Sequence, residues 1–243
     1  MKKRFEITSC FLHIFAMVCM LCDHLWGTIV PGNEWLTCVG RLAFPIFAFL
    51  TVEGYFHTKN LKKYVLRLLV FAILSEIPFD LMVGSRVFYP IHQNVLWTFL
   101  ISIGLIHMNQ QVKGKKLWLR ISVGVSSVAL GMVLGLATFV DYHHAGVLMV
   151  LLFYFFRGEK WWCYIGQIVG LWYINAEVLG GYGYEFQLWG STMFLARQEL
   201  ATLALIPLWF YRGKQGYYAP WLKWVYYGFY PLHLLLLGLA KML

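Results

Sequence analysis

Apolar residues run along this chain in stretches of about 20, separated by short polar breaks. That is the length at which an α-helix crosses the hydrocarbon core of a bilayer. Nine such spans are predicted, at 7–30, 35–57, 64–82, 94–112, 117–139, 142–156, 161–178, 190–211 and 219–240. The pattern predicts an all-α, polytopic transmembrane helical bundle of about nine spans (eight to ten), forming a single integral-membrane domain over 1–243. Pro45, Pro78, Pro207 and Pro231 fall inside spans and predict kinks.

The breaks alternate in charge. Lys2, Lys3 and Arg4 precede the first span, and Lys59, Lys62, Lys63 and Arg67 follow the second. Lys113, Lys115, Lys116 and Arg120 follow the fourth, Arg157 and Lys160 the sixth, Arg212 and Lys214 the eighth. The opposite breaks, 31–34, 83–93, 139–143 and 175–189, hold only Arg86. The positive-inside tendency then predicts a cytoplasmic N-terminus. The opening apolar run is too long for a signal peptide and lacks a small-residue cleavage site, so it is expected to be a permanent span.

Composition agrees. Hydrophobic residues make up 60% of the 243 and charged ones 13%, against about 25% charged in soluble domains. The formal charge of +9 sits in short inter-span breaks, which points to orientation and membrane-lipid headgroups rather than nucleic acid. Five cysteines, an odd number mostly inside spans, are expected to be buried apolar thiols.

The spans carry ionisable side chains: His13, Asp23 and His24 in the first, Arg41 and Glu53 in the second. Each charge costs roughly 2.5–3.5 kcal/mol on insertion scales, so such residues normally face a protein interior and mark a functional path. With the N-terminus inside, Asp23, His24, Arg41, Glu76, Asp80, His92, Gln93 and Asn94 gather toward one depth, near the outer face. His24 is a candidate general base or a structural hydrogen-bonding group. Arg41 could stabilise developing negative charge or pair with Asp23 or Glu76. Glu53 and His57, spaced i,i+4, lead into Lys59, Lys62, Lys63 and Arg67; that cluster suits lipid headgroups or an anionic cofactor. No phosphate-cradling or dinucleotide glycine pattern and no G-x-S-x-G occurs. His143 and His144 lack the i,i+4 spacing of a helical zinc pair; together with Asp141 and His92 they form only a weak metal candidate, and no metal is expected. One internal echo pairs Phe88-Tyr89-Pro90-Ile91-His92 with Phe229-Tyr230-Pro231-Leu232-His233.

Several motifs resemble the TraX family of bacterial membrane proteins. They are Asp23-His24, the run Gly40-Arg41-Leu42-Ala43-Phe44-Pro45-Ile46-Phe47-Ala48-Phe49, and Val52-Glu53-Gly54-Tyr55-Phe56-His57-Thr58. Ser75-Glu76-Ile77-Pro78-Phe79-Asp80, His92-Gln93-Asn94 and Tyr230-Pro231-Leu232-His233-Leu234 follow in the family's order. The resemblance implies a multi-pass protein of the bacterial inner (plasma) membrane that transfers acetyl from acetyl-coenzyme A. In the family's namesake the acceptor is the pilin N-terminus, modified during conjugation. On that reading His24 is the general base or a transient acetyl carrier, Asp23 orients it, and Arg41 holds the thioester carbonyl or a phosphate. His57, Lys59, Lys62, Lys63 and Arg67 would hold acetyl-coenzyme A at the cytoplasmic side. Glu53, Glu76, Asp80, His92, Gln93, Asn94 and His233 would shape the side of a peptide or glycan acceptor. A glycan O-acetyltransferase, a proton-coupled transporter using Asp23, Glu76 and Asp80, and a non-catalytic assembly factor remain the alternatives.

Overall fold

A computed structural model describes residues 6–188 and 190–242; the expected basic cluster Lys2, Lys3 and Arg4 lies outside them. The described chain is mostly helical. In order come α1 (Ser9–Thr28), α2 (Glu34–Gly40), α3 (Ala43–His57), α4 (Leu61–Gly84), α5 (Val95–Gln111), α6 (Leu117–Ala137), α7 (His143–Phe155) and α8 (Trp161–Tyr173). A π-helical turn (Ile174–Leu179) extends α8. Strands β1 (Gly183–Leu188) and β2 (Ser191–Ala196) follow, then a 3-10 helix (Arg197–Ala204), α9 (Leu205–Trp209) and α10 (Leu222–Met242).

Three helical stretches, Ser9–Thr28, Glu34–His57 and Leu117–Ala137, are long and apolar enough to cross a membrane. The surface supports the same environment. On α6 the small residues Ser127, Gly131 and Gly135 are the buried ones, while Trp118, Ile121, Val125, Val133 and Leu136 lie exposed. Small inside and large apolar outside reverses the pattern of a soluble helix and suits packing in lipid.

The expected span 190–211 is not one helix. Its first half pairs with the preceding break as an antiparallel hairpin in which Tyr184 faces Leu195 and Phe186 faces Met193. Gly190, at φ 80°, sits in the connecting turn, a backbone state glycine adopts without the Cβ penalty. Its second half is the 3-10 helix and α9. These still carry the chain from one end of the bundle to the other. Arg197 pairs with Glu34 near the Thr28 end, whereas Phe210 O accepts from Ile7 N at the Ser9 end. Ala201, Ala204, Leu205 and Leu208 are buried in protein, where irregular backbone is tolerated at membrane depth.

Pro45 does not kink a span. The second apolar run breaks earlier, at Arg41–Leu42, and Pro45 lies in the first turn of α3, where no intrahelical N–H is needed. Pro78 and Pro231 do lie inside α4 and α10.

The basic breaks share the Ser9 end. Arg157 pairs with Glu53, one turn before His57, and Gln110 Nε2 donates to Tyr154 Oη at 2.9 Å, with the Tyr154 ring stacked on Phe56. Lys214 pairs with Glu6.

Candidate functional site

Two cavities among the described residues bear on the candidate side chains. The larger, about 550 Å³, is at the Ser9 end, lined among others by Glu53, His57, Tyr64, Arg67, Tyr226 and Tyr227. The smaller, about 390 Å³, lies toward the Thr28 end and is lined by Asp23, His24, Arg41, His92, Asp141 and Gln198, with others. Met20, Phe47, Val95, Phe99 and Tyr230 line both. The two chambers therefore abut across one apolar and tyrosine wall.

The smaller chamber is built on a polar chain that crosses four elements. Arg41, just past α2, forms an ion pair with Asp23 of α1. Thr37 Oγ1 donates to Asp23 Oδ1 at 2.7 Å and accepts from Arg41 Nη2 at 2.8 Å. Arg41 Nη1 donates to Gln198 Oε1 at 2.9 Å; Gln198 Nε2 donates to Asn175 Oδ1 at 2.9 Å; Asn175 Nδ2 donates to Leu171 O at 2.7 Å. The break at Arg41–Leu42 is what lets the guanidinium turn back onto Thr37. Charged and amide groups at this depth are paired, as a low-dielectric site requires.

Gly40 makes the approach of α1 and α2 possible, because a Cβ there would run into the Asp23 side chain. Gly40→Ala is expected to displace Asp23 from Arg41 and cost about 1–3 kcal/mol, the usual range for overpacking. A thermal melt in detergent, wild type against variant, checks this; an unchanged melting temperature contradicts it.

His24 does not use Asp23. Its Nδ1 lies 2.8 Å from His233 Nε2 of α10, the rings stacked with centroids 5.0 Å apart. His233 Nδ1 in turn lies 2.7 Å from Phe229 O. The neighbours Asp23 and His24 point in different directions because successive side chains on a helix diverge by about 100°. The expected Asp23–His24 orienting pair is therefore replaced by Asp23–Arg41 and His24–His233.

The far wall comes from two loops. Gln93 and Val140 form a parallel bridge, and His92 Nε2 sits 3.3 Å from Asp141 Oδ1. Phe139, Tyr142 and His143 all have positive φ, a strained state for non-glycine residues that clusters at functional sites. In this loop, the hydrogen bond that His92 donates to Asp141 raises the His92 pKa above its ordinary value, with the charges of Asp141, Glu76 and Asp80 adding and burial opposing. A raised folded-state pKa means the stabilisation is fully present below the ordinary imidazole value and is lost as pH rises through the raised one. The stability difference between wild type and His92→Gln is thus expected to shrink as the pH is raised from below the ordinary imidazole value to above it. Melting temperatures of both proteins across that window check it; a constant difference contradicts it.

Other expected site residues lie elsewhere. Lys59, Lys62 and Lys63 line neither chamber and are exposed around the start of α4, where first-turn side chains point away from the bundle. Of the basic cluster, His57 and Arg67 reach the larger chamber. Glu53 also faces that chamber rather than the acceptor side, bound by Arg157 through Nε at 2.6 Å and Nη2 at 3.3 Å. Glu76, Asp80, Gln93 and Asn94 line neither chamber. Asn94 caps α5, donates to Ala72 O and pairs with Glu76, which also accepts from Trp97 Nε1. Asp80 Oδ2 accepts from Tyr89 N at 2.8 Å, and Gln93 Nε2 donates to Pro90 O. These are local anchors, made where helix ends leave backbone groups unpaired.

Sequence reasoning passed over Thr37, Asn175 and Gln198, neutral polar residues with no pattern of their own. Asp141 and His143 stood out there only as weak metal candidates, and the described residues hold no cluster of three or more His, Cys, Asp or Glu able to bind an ion. The five cysteines are free thiols. The echoed pentads proved informative: each ends on a histidine of the site, His92 on the chamber wall and His233 behind His24.

The family model described as "TraX protein" matches residues 9–241. The chain belongs to the TraX family. A curated relative is the probable fimbrial assembly protein FimC, serogroup H1, of Dichelobacter nodosus; it is 26% identical over 259 residues, covering 100% of this chain and 99% of the relative. No solved structure matches. The TraX match spans α1 through α10, and so includes both chambers and the residues that join them.

Proposed function

We propose that this TraX-family protein is a multi-pass enzyme of the bacterial inner membrane, with its N-terminus and basic breaks cytoplasmic. Its nine crossings include an irregular eighth one made by the 3-10 helix and α9. It moves acetyl from cytoplasmic acetyl-coenzyme A to an amine presented at the outer face. The observation that carries this reading is the pair of abutting chambers, one opening among cations and the other holding His24 beside the Asp23–Arg41 pair.

The chemistry follows from that arrangement. Acetyl-coenzyme A is a substrate whose nucleotide end is anionic and whose thioester sits on a long, thin arm. Arg67 lines the larger chamber with its Nε unpartnered among the described residues and its guanidinium 5.9 Å from the Tyr227 ring centroid. Cations and aromatic rings together suit phosphates and a purine. The arm then passes the Tyr230 wall to the smaller chamber. The acceptor nitrogen attacks the thioester carbonyl, forming C–N as C–S breaks. His24 takes the proton from the nitrogen and returns it to the leaving thiolate. Arg41, held by Asp23 and Thr37, stabilises the carbonyl oxygen as it gains charge.

The printed name of the Dichelobacter nodosus relative concerns fimbrial assembly. Carried to this chain, it favours a fimbrial or pilin-class polypeptide as acceptor. The test is direct: purified protein in detergent, radiolabelled acetyl-coenzyme A, and a peptide with a free N-terminal amine beside its pre-acetylated twin. Label on the free-amine peptide supports the reading. Label on added glycan instead moves it to O-acetylation, and no label on peptide, glycan or protein overturns it. The transporter alternative is weakened because Asp23, Glu76 and Asp80 are each tied to different partners and form no relay.

A further inference from the structure

His24 sits in the wall of the smaller chamber with only one of its ring nitrogens engaged by protein. We propose that His233 is the positioning residue of this site: it locks His24 in the tautomer with hydrogen on Nδ1, so that Nε2 is the bare nitrogen offered to the chamber. The assignment deepens the acetyl-transfer reading and rests on it only for its consequence, not for its geometry.

The chain of ring contacts runs inward from Phe229. Its carbonyl can only accept, and it lies 2.7 Å from His233 Nδ1. Two lone pairs at that distance repel, so His233 Nδ1 carries a hydrogen and donates it. A neutral imidazole holds one ring hydrogen. His233 Nε2 is then a lone pair, and it lies 2.8 Å from His24 Nδ1. His24 Nδ1 must be the donor there. His24 Nε2 is left with its lone pair and has no hydrogen-bond partner among the described residues. Among the described residues no carboxylate hydrogen-bonds to either ring, and His233 is 5% exposed. The pair therefore stands where catalytic histidines more often have an acid behind them.

Several elements cooperate to hold His233. Its ring stacks on Phe229 at 4.6 Å and tilts against Tyr230 at 5.8 Å, one turn and three residues back on α10. Pro231 lies between them inside the helix and donates no N–H to the ladder. Cys19, Met20 and Leu234 close the apolar cluster around this contact between α1 and α10. The stacked rings, 5° from parallel, leave little freedom for either imidazole to rotate.

The consequence is a defined proton path. When His24 Nε2 takes the acceptor's proton, the ring becomes imidazolium, and its Nδ1 hydrogen already points at the His233 lone pair. His233 can share that proton while its own Nδ1–H stays on Phe229 O. Charge then spreads over two rings instead of resting beside Arg41. The proton returns by the same route to Nε2 and to the leaving thiolate, so none is gained or lost. Asp23, by contrast, is left free to serve Arg41.

The experiment reads tautomers, not only rates. Protein labelled with ¹⁵N-histidine is reconstituted in lipid, and the His24 signals are assigned by their absence in His24→Gln. Wild type is expected to give a protonated, pyrrole-type Nδ1 and a bare, pyridine-type Nε2 for His24. In His233→Leu the His24 ring is expected to shift toward the Nε2–H form that free imidazole side chains favour. Acetyl transfer then falls through kcat by about 10²–10⁴-fold, the scale seen when a catalytic histidine is left in the wrong tautomer, with KM for acetyl-coenzyme A unchanged. His233→Gln, whose Oε1 accepts from His24 Nδ1, is expected to keep the tautomer and recover most of the rate. A bare Nδ1 on His24 in wild type, or an unaltered His24 tautomer in a folded His233→Leu, overturns the proposal. Should the tautomers be as expected while wild type transfers no acetyl, the His233 assignment stands and the transferase reading falls.

Discussion

Replacing His24 with alanine is expected to lower the proposed acetyl transfer by about 10²–10⁴-fold, the usual contribution of a positioned general base. The side chain faces the smaller chamber and has its Nδ1 anchored by His233 Nε2 at 2.8 Å, which leaves Nε2 for the acceptor. Its removal leaves the acceptor nitrogen without a positioned base to take its proton. Arg41 remains paired with Asp23 and bonded to Thr37 and Gln198, so the side of the site proposed to hold the oxyanion is expected to stay intact. The loss is therefore expected to fall on kcat, with little change in the affinity for acetyl-coenzyme A, which the proposal places in the other chamber. The measurement is initial rate against donor concentration, with a melting curve to show that the variant folds. A folded His24→Ala protein that binds donor and transfers acetyl at the wild-type rate removes the mechanism.

The largest effect on stability is expected at the other end of the bundle. Glu53 is 7% exposed within α3 and is held by Arg157 through two hydrogen bonds, with His57 Nδ1 3.5 Å from its Oε2. The Arg157 guanidinium also lies 4.3 Å from the Phe56 ring centroid. Arg157→Met leaves a carboxylate buried without its partner. Breaking a buried pair from one side costs about 3–5 kcal/mol. The lower end, about 3 kcal/mol, is expected here because the Arg157 side chain is 38% exposed and water reaches part of the pair. Adding Glu53→Leu to Arg157→Met should recover most of the loss, since an apolar pair of similar volume carries no desolvation penalty. Chemical or thermal unfolding in detergent of the single and double variants separates these outcomes. If Arg157→Met melts with wild type, the pair contributes nothing to the fold.

Much of the helical scaffold could be read from local pattern. The apolar runs at 7–30, 94–112, 117–139 and 142–156 correspond closely to α1, α5, α6 and α7. Run length and helical rise are local properties, so a single chain carries them openly. The same scan failed at 190–211, because in so aromatic a chain a strand and a span look alike by hydropathy. The signal was nonetheless present. Tyr184, Phe186 and Leu188 alternate with Glu185 and Gln187, a period of two, and Gly190 follows as a turn residue.

The site divides along the same line. Asp23, His24 and Arg41 drew attention because charges inside apolar runs are expensive and need a reason. Their partners could not be read. His24 and His233 are 209 residues apart, Arg41 and Gln198 are 157 apart, and Glu53 and Arg157 are 104 apart. Adjacency misled in the opposite sense: Asp23 and His24 are neighbours in the chain and serve different partners. Glu76 and Asn94 attracted notice for the same reason as His24, yet the bonds they make hold the start of α5 against α4.

By itself, then, the order of residues determined that this is a chain of apolar helices with basic breaks and a few costly ionisable groups within them. These follow from transfer energies and periodicity, which act over a turn or a span. Only the folded bundle decided which of those groups meet. It set Asp23 on Arg41, His24 on His233 and Glu53 on Arg157, and it left two chambers sharing a wall. Hydrogen bonds and ion pairs are short-ranged and directional, so they register only the distances that helix packing creates.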